Sequence, residues 1–355
     1  MSGEDKKFKF DVVIGNPPYQ EEVEGTSDRQ IYPYFMDEAY KVSNIAEFIT
    51  KAGFLFNAGK TSQKWNKKML NDRHLKVLFY EPKASNVFAN VGFKGGVAVT
   101  YWNRNENHNP IGTFSPFPLL QSIIGKVIFR KDFTPLSDEI YLQNKFNLDA
   151  LYSDYPDIKN QIGSKGKERR LTTSIFSLPI FVDEKDEKNN VEIKGIINSN
   201  QRTSKFMSER YLDSDSTLYD YTVIVPKSNG SGALGETLST PLIGEPLIGE
   251  PLIGEPLIGY TQSFIGIGKF KDKDECIACF KYIKTKFCRV MLGTLKVTQD
   301  NNKGTWKNVP LQDFTERSDI DWSKSIPEID QQLYKKYGLS SEEIGFIETH
   351  VKEMD

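Results

Sequence analysis

Residues 10–19 read FDVVIGNPPY, and the fold class turns on them. Phe10 to Ile14 is a compact apolar run broken by Asp11 and stopped by Gly15-Asn16-Pro17-Pro18. A short apolar run ending in glycine and proline reads as a buried parallel strand that opens into a loop. Working outward, Ile31, Phe35, Ala39 and Val42 recur every three or four residues, which predicts a helix over 31–45 with Ser43-Asn44 weakening its end. AEFITKAGFLF at 46–56 predicts the next strand, Trp65 to Leu70 a helix, LKVLFY at 75–80 a third strand and GVAVTYW at 96–102 a fourth. Strands alternating with helices give an α/β class, a sheet with helices packed on its faces.

After about residue 130 the alternation stops. Polar stretches such as DEKDEKNN at 183–190 separate short apolar runs such as LYDYTVIV at 218–225. An irregular α+β domain over 131–310 follows from this, then a tail over 311–355 with helical spacing from Ile329 to Met354. The first domain is then 1–130. Residues 241–260 read PLIGE PLIGE PLIGE PLIGY, four copies at a period of five. Proline every fifth residue removes backbone donors from a helix or a central strand, so an extended or turn-rich surface segment is expected.

The 355 residues fit two domains at about 150 residues each. Lys plus Arg is 46 and Asp plus Glu is 48, a net charge of −2, which excludes a wholly basic polyanion binder and leaves a local basic groove open. Apolar runs long enough for a membrane span do not occur, and Val12-Val13-Ile14 is too brief for the core of a signal peptide. Three cysteines cannot form a disulfide framework, so a reducing cytoplasm is the expected home.

Asn16-Pro17-Pro18-Tyr19 carries the chemistry. An exocyclic amino group on a nucleobase is a poor nucleophile, because its lone pair is delocalised into the ring. Two acceptors facing its two hydrogens draw the nitrogen toward a nucleophilic geometry and stabilise the charge that develops on attack. The Asn16 side-chain oxygen and the Pro17 carbonyl can form that pair, and consecutive prolines hold the loop in place beforehand. A base reaches such a loop by leaving the duplex, at a cost of about a few kcal/mol. An aromatic face such as Tyr19 offsets that cost, since stacking is worth roughly 1–3 kcal/mol. Asn-Pro-Pro also makes ordinary turns.

The tetrapeptide at a strand end resembles motif IV of the DNA adenine-N6 methyltransferases. IYPYFMDEAY at 31–40, GFLFNAG at 53–59, MLNDRHLKV at 69–77, NVF at 86–88 and GFKGGV at 92–97 follow in order. This succession resembles the part of the Eco57I-like restriction-modification methylases that starts at motif IV, and the likeness extends through GSGALGE at 230–236 and LKVTQD at 295–300. The resemblance implies a partial Rossmann-like methyltransferase sheet, followed by an irregular α+β target-recognition domain and a helical tail. It implies methyl transfer from S-adenosylmethionine to a flipped adenine in double-stranded DNA. Asn16, Pro17, Pro18 and Tyr19 match the catalytic loop, and Tyr19 is one stacking face. Phe88 matches the position of a second aromatic against the base, with plain core packing as its alternative. Phe93 is a second choice for that role. Lys94-Gly95-Gly96 lets backbone approach DNA or makes a tight turn.

The family places its cofactor site before the catalytic loop, where this chain has only 15 residues. Phe264-Ile265-Gly266-Ile267-Gly268-Lys269 is the nearest other candidate, but it lacks a third glycine and a helix-opening context. The S-adenosylmethionine site is thus incomplete. Two readings stay open: a methylase segment completed by a separate polypeptide that carries the cofactor half, or a non-catalytic DNA-binding, specificity or truncated, inactive component. Weaker constellations are Cys276-Ile-Ala-Cys279, which has metal spacing without a second ligand pair. Asp157 with Glu192-Ile193-Lys194 has a nuclease-like composition. KGKERR at 165–170 and the stretch 202–210 are basic runs.

Overall fold

The computed structural model describes residues 10–21, 29–57, 60–89, 96–197, 201–213, 217–227, 242–243, 256–295 and 301–354. The chain divides into two compact units, residues 1–121 and 122–355.

In the first unit, β1 (Phe10–Gly15) ends at the NPPY loop, which leads into a two-stranded ladder of β2 (Gln20–Glu21) and β3 (Arg29–Gln30). Helix α1 (Tyr32–Val42) opens with Pro33 in its first turn, where the missing donor costs nothing. It passes straight into β4 (Ser43–Lys51), so the strand begins earlier than its apolar run suggests. At the helix end the Ala39 carbonyl accepts both the Ser43 amide and, at 2.8 Å, the Ser43 hydroxyl. Residues Gly53–Phe56, expected as strand, form a 3-10 turn, and Asn57 follows with φ of 54°. Helix α2 (Gln63–Leu70), capped by Ser62, then β5 (Leu75–Glu81) and β6 (Val97–Asn103) complete the unit.

The sheet order is β1-β4-β6-β5. β1 and β4 are parallel, and β6 runs antiparallel to both of its neighbours. Val13, Ala46, Trp102 and Leu75 lie in register across the four strands. They turn one face toward α1 and α2, where Tyr32, Met36, Trp65 and Met69 build the core. The opposite face is different. Val12 is 47% and Ile14 75% exposed, and Phe79 on β5 is 49% exposed. The expectation of a buried strand at 10–14 is therefore corrected. β1 is an edge strand, because β4 alone among the described elements pairs with it.

The second unit contains most of α3 (Pro118–Ile128), then β7 (Ile140–Tyr141) and α4 (Leu148–Asp154). Its strands are β8 (Val191–Ile197), β9 (Gln201–Met207), β10 (Tyr221–Pro226), β11 (Leu242–Ile243), β12 (Ile258–Tyr260) and β13 (Phe264–Phe270). One sheet is ordered β11-β10-β13-β7 and another β12-β8-β9. Helices α5 (Lys273–Lys284), α6 (Lys286–Gly293), α7 (Ile326–Lys336) and α8 (Ser341–His350) follow. The expected helical stretch 329–354 is broken in two at Gly338, whose φ of 61° lets Leu339 donate back to the Tyr334 carbonyl. Ser325 with Glu328 and Ser340 with Glu343 form capping boxes at the starts of α7 and α8.

The first and last repeat copies enter different sheets. Leu242 and Ile243 pair antiparallel with Ile224 and Val223, whereas Ile258 to Tyr260 pair parallel with Glu192 to Lys194. Both are edge strands, the sheet position that proline tolerates. Ile224, Tyr260 and Phe264 pack together as one cluster, so the two sheets meet beside both docked copies. Residues 244–255 lie outside the described residues.

Candidate functional site

The NPPY loop stands at the carboxyl end of β1, beside the parallel strand β4, which is where open α/β sheets present ligand-binding loops. Asn16 and Pro18 are exposed, Pro17 is buried and Tyr19 is partly buried. Burying Pro17 anchors the loop, while the Asn16 amide stays at the surface. The Tyr19 carbonyl accepts from the Ile31 amide at 3.1 Å, just ahead of α1. Lys51, the last residue of β4, donates to Gln20 Oε1 at 2.5 Å, so the loop is tied to the end of the neighbouring strand.

Phe88 reaches the same place from the chain beyond β5. Ala84–Asn86 forms a 3-10 turn whose Ala84 is buried, and the Phe88 amide donates to the Ala84 carbonyl at 2.9 Å. The Tyr19 and Phe88 rings lie 6.4 Å apart between centroids, tilted by 59°. Burial pushes the Tyr19 phenol above its ordinary value, so the ring stays neutral at physiological pH. The structure brings together Asn16, Pro17, Pro18, Tyr19 and Phe88. Phe93 and Lys94 lie outside the described residues.

Two features were not legible in the sequence. Lys51 sits in a strand with no motif around it, and its contact with Gln20 depends on the parallel pairing of β1 and β4. Phe56, Tyr80 and Phe114 form an aromatic cluster with centroids 5.4–5.5 Å apart, just past the end of β4. Phe56 remains 40% exposed there. Gly96 has a structural role: at φ of 77°, a Cβ would fall 2.4 Å from the Glu81 carbonyl oxygen, so close chain approach demands glycine.

Residues 2–88 match the family model of the Eco57I restriction-modification methylases. The matched span contains the NPPY loop, α1, α2 and Phe88. Methylases of this kind use S-adenosylmethionine as methyl donor. No curated protein matches the chain. The segments 230–236 and 295–300 lie beyond the matched span, and of them Leu295 alone is described.

The Gly-x-Gly candidate does not fit S-adenosylmethionine. Phe264–Phe270, which contains the Gly-x-Gly candidate, is strand β13 in the middle of its sheet. A Cβ at Gly266 would fall 2.2 Å from the Tyr260 hydroxyl, and one at Gly268 would meet the Phe270 ring at 2.2 Å. These glycines make room for aromatic side chains, not for a cofactor. Cys276 and Cys279 are buried in α5, and burial pushes the Cys276 thiol up to about 12, which disfavours the thiolate a metal needs. Lys194 is buried and paired with Glu192 at 2.5 Å, while Asp157 lies exposed on the 3-10 turn Pro156–Asn160. Among the described residues no helix is long and apolar enough to cross a membrane, and no cluster of metal-ligating side chains occurs.

Proposed function

We propose that this chain is the catalytic-loop and target-recognition part of a DNA adenine-N6 methyltransferase of a restriction-modification system. The reaction moves a methyl group from S-adenosylmethionine to a flipped adenine. The observation that carries the reading is the convergence of Tyr19 and Phe88 beside Asn16, at the carboxyl end of β1. Asn16 and the Pro17 carbonyl accept the two hydrogens of the adenine amino group and sharpen its lone pair. Tyr19 and Phe88 take the two faces of the extruded base and offset its lost stacking. The rings now tilt against each other, so the base enters by turning them apart.

The partners in this proposal are double-stranded DNA and a separate polypeptide that carries the cofactor-binding half. Among the described residues β1 pairs with β4 alone, which supports the second partner. FDVVIG has the composition of an interior parallel strand, yet its Val12 and Ile14 face outward. The Gly-x-Gly candidate, filled by the Tyr260 and Phe270 side chains, leaves room for a second reading, a DNA-binding or specificity component without its own turnover. Replacing Asn16 with alanine in the complete methylating assembly separates the two. On the first reading methylation falls about 10²–10³-fold with DNA binding retained. Methylation at the wild-type rate assigns the chemistry elsewhere and leaves the second reading standing.

A further inference from the structure

A turn in the second unit is built to hold cations out toward solvent. Residues 163–170 read GSKGKERR, and Lys165 and Gly166 occupy successive left-handed conformations, with φ of 57° and 81°. A lysine in that region is strained, and such strain persists where surrounding contacts over-determine it. Here the contacts are explicit. Lys167 donates its amide to the Ser164 carbonyl, and Gly166 donates to the Glu168 carboxylate at 3.2 Å. Gly163 approaches Lys167 so closely that a Cβ would fall 3.2 Å from the Lys167 carbonyl oxygen.

The foot of the turn is locked to the core. Phe146, fully buried, donates its amide to the Arg169 carbonyl at 2.8 Å, and Lys145 and Arg170 face each other across a bridge. Arg169 pairs with Asp213, and the buried Leu171 follows directly. Glu168, the acid of the run, is half-buried and turned toward its own backbone and Tyr152. Lys145, Lys165, Lys167 and Arg170 are exposed, and among the described residues none of them has a carboxylate partner. A rigid frame with its acid turned inward and four uncompensated cations outward suits a fixed row of negative charges.

We infer that this turn is a docking surface for the phosphate backbone of duplex DNA, with Lys145, Lys165, Lys167 and Arg170 as the contacts. The inference rests on the proposed function and assigns part of its DNA partner to these residues. Phosphate contacts set orientation without reading sequence. The turn therefore places the protein on the duplex and leaves base selection to other residues.

The test titrates a short fluorescent duplex of arbitrary sequence with the full chain at several salt concentrations. Each phosphate neutralised contributes about 0.9 to the slope of log affinity against log salt. The triple variant K165A/K167A/R170A should flatten that slope by about 2–3, with an unchanged thermal midpoint. Lys165→Gly, which relieves the backbone strain while removing one charge, should flatten it by about 1. Lys167→Arg should leave it unchanged. Duplex binding with the same slope in the triple variant overturns the inference and leaves the proposed function intact. No duplex binding by the wild-type chain overturns both. Tighter binding to anionic phospholipid vesicles than to the duplex at equal salt assigns the turn to membranes and overturns it as well.

Discussion

Tyr19 and Phe88 meet at 6.4 Å from two loops that leave different strand ends, one after β1 and one after β5. Each ring is held by backbone contacts of its own loop: the Tyr19 carbonyl by the Ile31 amide, and the Phe88 amide by the Ala84 carbonyl. If both rings stack on the extruded base, Phe88→Ala and Tyr19→Ala should each slow methylation by the equivalent of roughly 1–3 kcal/mol. Tyr19→Phe should keep most of the rate. Single-turnover assays on the complete assembly check this, and an unimpaired Phe88→Ala would return Phe88 to plain packing.

The chain on its own should bind S-adenosylmethionine far more weakly than micromolar, about −8 kcal/mol. Gly266 and Gly268, the one glycine pair the sequence offered for a cofactor loop, are filled by the Tyr260 and Phe270 side chains. Calorimetric titration measures it. A micromolar constant would place a cofactor site that the described residues do not reveal.

Gly96 should resist substitution. Its φ of 77° and the Glu81 carbonyl oxygen 2.4 Å from a hypothetical Cβ combine backbone strain with a steric clash. Gly96→Ala should cost about 1–3 kcal/mol or more, read as a lower denaturation midpoint. Gly125→Ala, where nothing lies within 4 Å, should stabilise or be neutral.

Asp330 gives the fold a pH dependence. Its carboxylate accepts from the Lys286 and Phe287 amides at 2.9 and 2.8 Å, yet burial pushes it up to about 6 from an ordinary 3.8. Arg289 opposes that rise and Glu348 adds to it. The folded state holds this proton more tightly than the unfolded one. Its contribution to stability is therefore complete below about pH 4 and is lost as the pH rises through about 6. Asp330→Asn should flatten stability against pH between those values, measured as the difference from wild type, since other carboxylates slope the opposite way. Parallel curves would show that Asp330 does not titrate there.

The repeat should tolerate shortening. Deleting residues 246–255 keeps the Leu242–Ile243 and Ile258–Tyr260 segments that pair with β10 and β8. Loop length enters stability only logarithmically, so the change should stay below about 1 kcal/mol. Gly259→Ala should cost more, because a Cβ there meets Ile193 Cδ1 at 2.7 Å and Asn144 Oδ1 at 2.9 Å. Equal midpoints for both variants would contradict this.

Much of the first unit was legible because its signals are local. Apolar runs at 10–14, 75–80 and 96–102 became strands, and 31–42 became a helix started by proline. What stayed hidden depends on neighbours. FDVVIG looks buried because composition does not say which strand lies beside it, and only pairing makes it an edge. Ser43, where helix passes into strand, reaches the Ala39 carbonyl with both its amide and its hydroxyl, a contact that apolar spacing does not register. Gly338 was visible in the sequence, yet apolar residues at helical spacing on both sides masked the break. At the site, the NPPY loop announced itself, whereas the link between Lys51 and Gln20 exists only once two strands are parallel.

The two ends of the repeat carry a consequence at the level of the gene. Each copy is a whole number of codons, so gain or loss of one unit during replication leaves the downstream reading frame unchanged. Among the described residues the first and last copies each supply a paired strand, and Tyr260 marks the last copy as different in sequence from the rest. A lineage can therefore lengthen or shorten this stretch by slippage and still inherit the same docked strands on either side.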